Sequence, residues 1–296
     1  MKVKNRLLAN YRRGGLSAVA DSIRDFLHYD ITQSYTNHRQ VVEVTEFWDS
    51  NADGYIPVQL PGYRLYLDPE DPGISRDILS RGIREWPSYY HYRRVLHELS
   101  DGPLTLEAGS NIGYYALAAA VERPDGRVLC AELDQENVKR CQYNVEQNGL
   151  GDRVTVEQAT LSDSTGTATA TVADESNLHS LYKTGSETRT VETITGEQFL
   201  AGHGFETSDV DVLRMDVDGA ELRILRGLPG LQPRVAHVEV HPERLDREQW
   251  TTLCDIFQQW DAEIVGVYKE NKEFDVRSVS EIPVNKATQV VFADGK

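Results

Sequence analysis

Two short segments gather acids at spacings that suit the handling of a charged cofactor. The first reads Leu104, Thr105, Leu106, Glu107, Ala108, Gly109, Ser110, Asn111, Ile112, Gly113. Its apolar run predicts a strand that ends at a glycine bend and feeds a helix opening near Gly113. Gly109 lets backbone pass close to a ligand, and the helix start offers unpaired amides. A dinucleotide fold needs a second glycine to clear a pyrophosphate, and Asn111 stands at that place. A nucleoside cofactor without pyrophosphate therefore fits better. The next predicted strand, 127–131, ends at Glu132, where a carboxylate can accept both hydroxyls of a ribose. Glu107 is placed to accept a hydrogen bond from a cationic amine. An adenosine carrying an amino acid answers both demands, which points to S-adenosylmethionine. Taken singly, each acid is better explained as a solvated strand end or a helix-start carboxylate; the joint arrangement reverses that preference. The polar loop Gln158 to Asp163, containing Ala159, is expected to border the adenine, although Asp163, Ser164 and Gly166 also serve as turn formers.

The second segment, Asp216, Val217, Asp218, Gly219, Ala220, Glu221, crowds three carboxylates at a strand-to-helix junction. Helix capping accounts for Glu221, and equally for Asp218. Asp216, at the last strand position, is the one placed to face a ligand. A following strand puts His237, Glu239 and His241 on one face by its period-two alternation, and Pro242 ends the ladder. His237 lies deeper and reads as a core histidine. His241, at the rim, is the candidate general base, with Glu239 to orient it and Asp216 as the alternative base. Asp216, Glu239 and His241 can also be written as a divalent-metal site, but capping and hydrogen bonding explain the same residues without one, so no metal is expected.

The elements that must position these residues follow from the apolar pattern. Strands are expected at 103–107, 127–131, 153–157, 211–215, 235–240 and 262–268, mostly separated by helical segments. That alternation implies a parallel sheet with helices on both faces. A seventh strand, Thr288 to Phe292, follows without an intervening helix and is expected to run antiparallel. Thr-rich alternation around 167–172 and 189–194 predicts an inserted hairpin in place of a crossover helix. Upstream, residues 55–67 predict a hairpin around Pro61 and Gly62, and residues 3–27 two short amphipathic helices that either pack on the main domain or lie on an anionic membrane. The division expected is an extension over 1–100 and a cofactor-binding domain over 101–296. Trp86, Tyr89, Tyr90 and Tyr92 form either a sugar-stacking wall or the packed face of a helix. The segment Ser180 to Ser186 is long enough to act as a lid.

Composition narrows the partners. The 296 residues carry 47 acidic and 31 basic side chains, a net charge of −16, which repels nucleic acid. Only 8 of the basic residues are Lys and 23 are Arg, a balance that reads as halophilic, or else as an ordinary acidic protein. At ~1 M salt the screening length falls to ~3 Å and the self-repulsion of such a chain largely vanishes. No apolar run approaches the ~20 residues of a membrane span, and the amino terminus lacks the apolar centre of a secretory signal. Cys130, Cys141 and Cys254 lack metal-ligand spacing and read as reduced thiols in a cytoplasm.

Several ordered segments together resemble the FkbM-type methyltransferases, a branch of the class I S-adenosylmethionine-dependent enzymes. Residues 107–115, EAGSNIGYY, are similar to the family's DxGANxGyy, with Glu107 for Asp and Ser110 for Ala. Glu132 matches its ribose-binding acid, with Leu133 where a proline is common. Residues 214–227, RMDVDGAELRILRG, resemble KxDvEGaExevLkG, and Glu239 to Pro242 its ExHp. Gly82 to Glu85 match a GxxE segment upstream. The resemblance implies a Rossmann-like sheet with a reversed last strand. It also implies methyl transfer to a hydroxyl of a sugar, glycan or small metabolite, with the cofactor held by Glu107, Gly109, Ser110, Asn111, Gly113, Glu132, Leu133, Ala159 and Asp216. Three other readings stay open. Asp216-Val217-Asp218 is the DxD triplet of a metal-dependent nucleotide-sugar glycosyltransferase, which leaves Glu107 and Gly109 unexplained; an NAD-linked reductase is the weaker alternative for want of the middle glycine; and a non-catalytic nucleotide-binding scaffold would need no base at His241.

Overall fold

The computed structural model describes residues 54–71, 73–172, 187–269 and 271–294. Strands β1 (Ile56–Leu60) and β2 (Tyr63–Leu67) form an antiparallel hairpin, turning at Pro61 and Gly62 as expected. Helices α1 (Ile74–Arg81) and α2 (Trp86–Glu98) follow. The main alternation is β3 (Leu104–Ala108), α3 (Tyr114–Glu122), β4 (Arg127–Glu132), α4 (Gln135–Gln147) and β5 (Val154–Gln158). Three strands then interrupt it: β6 (Thr160–Ser162), β7 (Gly166–Val172) and β8 (Glu187–Thr195). The rhythm resumes with α5 (Gly196–Gly202), β9 (Val210–Met215), α6 (Glu221–Arg226), β10 (Val235–Val240) and α7 (Arg247–Gln258). The chain closes with β11 (Ala262–Lys269), β12 (Lys272–Phe274) and β13 (Thr288–Asp294).

The central sheet runs β5-β4-β3-β9-β10-β13-β11-β12. Neighbours from β5 to β10 are parallel, whereas β13 is antiparallel to both β10 and β11. The α/β architecture, the Rossmann-like strand order and the reversed last strand agree with the sequence reading. The reversed strand is inserted between two others, not added at the edge, and the three-residue β12 brings the sheet to eight strands instead of seven. β12 was not legible because Lys272 to Phe274 is too short and polar to show alternation. The predicted hairpin of the insert is β7 against β8, and β6 adds a third, parallel strand to it.

Alternation within each strand sorts the sheet into two faces. One face, with Val128, Cys130, Val212, Val235 and Val291, packs with α2, α3, α4 and the β1–β2 hairpin. The other, with Leu106, Leu129, Leu213, Val238 and Phe292, packs with α5, α6 and α7. The hairpin is tied to α4 by asparagine side chains: Asn144 Oδ1 accepts from Tyr66 N at 2.7 Å and Asn148 Oδ1 from Arg64 N at 2.8 Å. Tyr89 and Tyr92 are fully buried in this layer while Trp86 and Tyr90 remain exposed, so the aromatic cluster of α2 is a packed helix face. Its role as a sugar-stacking wall is not supported, since none of the four lines the main cleft. All three cysteines are buried and unpaired. Among the described residues no helix is long and apolar enough to cross a membrane. The amphipathic helices expected at 3–27 and the lid expected at 180–186 lie outside the described residues.

Candidate active site

A cleft of about 260 Å³ opens beyond the carboxyl ends of β3, β4 and β9. Glu107, Gly109, Ser110, Asn111, Glu132, Leu133, Ala159, Asp216, Glu239 and His241 all line it. Gly113 does not. It caps α3 in a left-handed conformation, and a Cβ there would meet Leu117 and Cys141 at under 3 Å. Its part is to fit the helix against α4.

Gly109 explains itself. At φ +81° a Cβ would sit 2.1 Å from the carbonyl oxygen of Asp216, so the β3 bend and the β9 end touch backbone to backbone. Asn111 follows in the left-handed region at φ +49°, and its side chain receives Ile112 N at 2.8 Å. Glu85 and Asp218, at φ +51° and +53°, are strained in the same way and also border the cleft. Backbone strain held by surrounding structure is a property of binding sites more than of packing.

Glu132 is nearly buried. Its two oxygens accept from Asn111 N at 2.7 Å and Asp134 N at 2.8 Å. Burial lifts its carboxyl to about 6 against the pull of those amides. Glu107 lies one strand over, only 1% exposed, and its Oε2 has no hydrogen-bond partner among the described residues. Burial raises it further, to about 8, although Arg214 opposes the shift. Arg214 is the residue paired with Glu107 in the β3–β9 register. Its guanidinium lies 4.2 Å from the centre of the Tyr115 ring and donates Nη2 to Asp216 Oδ2 at 3.3 Å, while Nε and Nη1 are unpartnered. Glu107 and Arg214 both line the cleft, and because buried polar groups are nearly always satisfied, their unpartnered oxygen and N–H groups suit a charged ligand.

The other side of the cleft is built of charge. Burial pushes Asp216 up, but Arg214, His241 and Arg84 together outweigh it and hold the carboxyl at about 2. His241 Nδ1 is 2.7 Å from Glu221 Oε1, which also receives Gly219 N at 2.9 Å. Burial would lower His241, yet the bond and charge of Glu221 raise it to about 9. Three expectations change here. Glu239 was to orient His241, but Glu221 does so, because α6 starts directly beneath the end of β10. Glu221 is not the side-chain cap expected, since Ala220 is the N-cap and makes no side-chain bond; it accepts from Gly219 N just ahead of the helix and holds the histidine with the same oxygen. His241 as a resting general base also fails near neutral pH, since an imidazole that titrates at about 9 keeps its proton. Glu239 is raised well above the usual carboxylate range by burial, then by Asp216 and Glu85. The DxD acids are engaged by cations: Asp218 by Arg244 at 3.1 Å and Asp216 by Arg214. His237 behaves as the core histidine expected, 2.5 Å from Ser88 Oγ and lowered by burial so that it stays neutral.

Sequence reasoning missed Arg84, Glu85, Tyr114, Tyr115 and Arg214 as cleft residues. All five sit inside quoted segments; Arg214 follows from the strand register, and Tyr114 and Tyr115 open α3 directly after the glycine bend. Arg84 and Glu85 belong to the GxxE segment, whose place at the α1–α2 junction beside the sheet is set by tertiary packing. Arg84 Nε meets Glu85 Oε1 at 2.9 Å, and Glu85 Oε2 accepts from Tyr115 OH at 3.2 Å.

Residues 107–276 match the methyltransferase FkbM domain, more than half of the chain. The chain belongs to the FkbM methyltransferase family. Its cofactor is S-adenosylmethionine. No curated protein sequence matches the chain. Among solved structures it is similar to P. horikoshii TYW2 in complex with MeSAdo, at 16% identity over 82% of this chain and 71% of that one, with a TM-score of 0.44. It is also similar to M. jannaschii TYW2 in complex with AdoMet, at 12% identity over 81% and 85%, TM-score 0.43. A SAM-dependent O-methyltransferase from Thermotoga maritima matches at 14% identity over 71% and 66%, TM-score 0.39. Likeness this distant adds nothing to the family assignment, which rests on the domain match.

Proposed function

We propose that this methyltransferase acts on oxygen, methylating a hydroxyl of a sugar, glycan or small metabolite. The observation that supports methyl transfer is the pair of buried acids on adjacent strand ends, Glu107 and Glu132, with the orphan oxygen of Glu107 and the orphan N–H groups of Arg214 beside them; the choice of oxygen rests on the carboxylate of Asp216 in the same cleft, placed to take a hydroxyl proton. That set fits the cofactor: Glu107 for its ammonium, Arg214 for its carboxylate, Glu132 for the ribose hydroxyls, and Leu133 and Ala159 for the adenine edge. Ser110, whose buried hydroxyl also lacks a partner, completes the lining. When bound, S-adenosylmethionine supplies a methyl group on a sulfonium, an electrophile ready for in-line attack.

The chain's own part is to hold the acceptor oxygen and take its proton. A neutral hydroxyl that gains a methyl becomes an oxonium, a strong acid, so even a carboxylate held near 2 is a competent acceptor. Asp216 is therefore the base in this reading. His241, cationic and clamped by Glu221, keeps Asp216 ionised, and Glu239 supports the same row. The buried, unpaired cysteines support a reducing cytoplasmic setting.

The test is calorimetric titration with S-adenosylhomocysteine and, separately, with UDP plus manganese. Extracts are then incubated with a deuterated methyl donor and read by mass spectrometry. Saturable binding of the adenosyl ligand and a labelled methyl ether are expected. UDP binding without any response to S-adenosylhomocysteine would falsify the reading, and label on nitrogen alone would move the reaction to a different atom.

A further inference from the structure

A second cavity, of about 270 Å³, lies beside the first. The two share Arg84, Glu85 and Glu239 in their linings, so these three residues form a common wall. The floor of the second cavity is a cross-strand row. Glu239 on β10 pairs with Gln289 on β13, which pairs with Tyr268 on β11. Residues directly opposite on neighbouring strands place their side chains together on one face, with Cβ atoms about 5 Å apart. On the cofactor side, Asp216 continues from Met215, the register partner of Val238, so the row reaches into the first cleft.

Gln289 is the residue without a local explanation. It stands at the head of an apolar strand, before Val290, Val291 and Phe292, and is 3% exposed. Its Oε1 has no hydrogen-bond partner among the described residues. A buried amide oxygen left unpaired costs stability, and any apolar residue of similar size would avoid that cost. Gln289 lines the second cavity, and a donor on a molecule bound there would satisfy the oxygen that the protein leaves unpaired. The Glu239 side chain, next to it, also makes no hydrogen bond among the described residues, although it lies in the field of Arg84 and His241. Two acceptor groups side by side across a strand pair match two neighbouring hydroxyls.

We propose that this second cavity seats the acceptor, with Gln289 and Glu239 taking adjacent hydroxyls of a carbohydrate-type polyol and Gln289 acting as the specificity-determining residue. The inference rests on the methyl-transfer reading above. The hydroxyl held by Glu239 is presented at the shared wall. Its oxygen forms the new bond to the methyl carbon, the sulfur–methyl bond breaks with its electron pair left on sulfur, and the hydroxyl proton passes to Asp216.

The experiment saturates the full chain with S-adenosylhomocysteine and measures binding of methyl glucoside, methyl mannoside and methyl galactoside, with their monodeoxy analogues, by ligand-observed NMR. At least one glycoside is expected to bind saturably. Gln289→Leu is expected to weaken it at least tenfold while affinity for S-adenosylhomocysteine stays within twofold. A deoxy analogue lacking the recognised hydroxyl should bind wild type weakly and lose nothing further in Gln289→Leu. Ala287→Trp, which fills the same cavity from its rim, provides a second variant that avoids the buried row and should abolish glycoside binding alone. The proposal is overturned if no glycoside binds, or if both variants bind glycosides as wild type does. Loss of S-adenosylhomocysteine binding by wild type would instead overturn the methyl-transfer reading itself.

Discussion

The two ends of the sheet edge are built by different means. Over β3 and β4 the site is made of backbone: a glycine bend against the carbonyl of Asp216, amides on Glu132, and one acid left unpaired. Over β9 and β10 it is made of charged side chains that hold one another, Arg214 on Asp216, Glu221 on His241 and Arg244 on Asp218. Backbone construction tolerates almost no change in residue size at its close contacts, whereas a charge network can lose a member and rearrange. Substitutions should therefore act all-or-none at the first end and in graded, pH-dependent steps at the second.

The largest effect is expected at Gly109. Gly109→Ala forces a methyl into the carbonyl of Asp216 at an unfavourable φ, with a cost of about 3 kcal/mol or more. Thermal unfolding should fall by several degrees and S-adenosylhomocysteine binding should vanish in calorimetry. Affinity within a few-fold of wild type would mean that the tight bend does not shape the cofactor site.

Glu107 comes next. Its carboxyl, near 8 in the free protein, is largely protonated at neutral pH, and a bound ammonium favours the ionised form. Cofactor binding at pH 7 should then release a proton, visible as a dependence of the calorimetric heat on buffer ionisation enthalpy. Glu107→Gln should remove that dependence and weaken binding by about 1.5–3 kcal/mol, the usual loss for a hydrogen bond to a charged group. A proton release that survives the substitution would place its source elsewhere.

The backbone-built end was the more legible in sequence for a physical reason. Glycine bends and strand-end acids are local, so Glu107, Gly109, Asn111 and Glu132 announce themselves within a few residues. The sheet alternation was legible too, because period-two burial leaves a mark on every strand. The charge network was not. Which acid meets His241 depends on where α6 begins relative to β10, and Glu221 was legible only as a cap. Arg84 and Glu85 were visible as part of the GxxE segment, but their place in the cleft is set by how α1 and α2 pack. Gln289 carried a weak signal, one amide at the head of an apolar strand, whose meaning needs the cavity beside it.

At the charged end the expected behaviour is a titration. His241 rises from its ordinary 6.5 to about 9 in the folded chain, so its pairing contributes stability that is complete below about pH 6.5 and lost as pH climbs through 9. The full swing is roughly 3 kcal/mol by linkage. Denaturant unfolding at pH 6 and at pH 9.5 should show the loss in wild type and a smaller one in Glu221→Gln, which removes the anion bonded to Nδ1 and leaves Asp218 3.6 Å from Nε2. Equal slopes in the two proteins would assign the pH dependence to other groups.

The smallest effect tests whether the two ends are separable at all. Tyr115 touches both: its ring lies beneath Arg214, and its hydroxyl donates to Glu85 in the wall between the cavities. Tyr115→Phe keeps the ring and removes only the hydroxyl, about 1 kcal/mol of hydrogen bonding. Without that anchor the strained Glu85 is freer to leave its left-handed conformation, which loosens the wall on the acceptor side. The cofactor side keeps Glu107, Glu132 and the Gly109 bend untouched. S-adenosylhomocysteine affinity should therefore change less than about twofold, while glycoside affinity falls several-fold, since about 1 kcal/mol corresponds to roughly a factor of five. An equal drop in both would show that Glu85 and Tyr115 belong to a single binding unit, and the contrast between a rigid cofactor end and an adjustable acceptor end would fail at its own boundary.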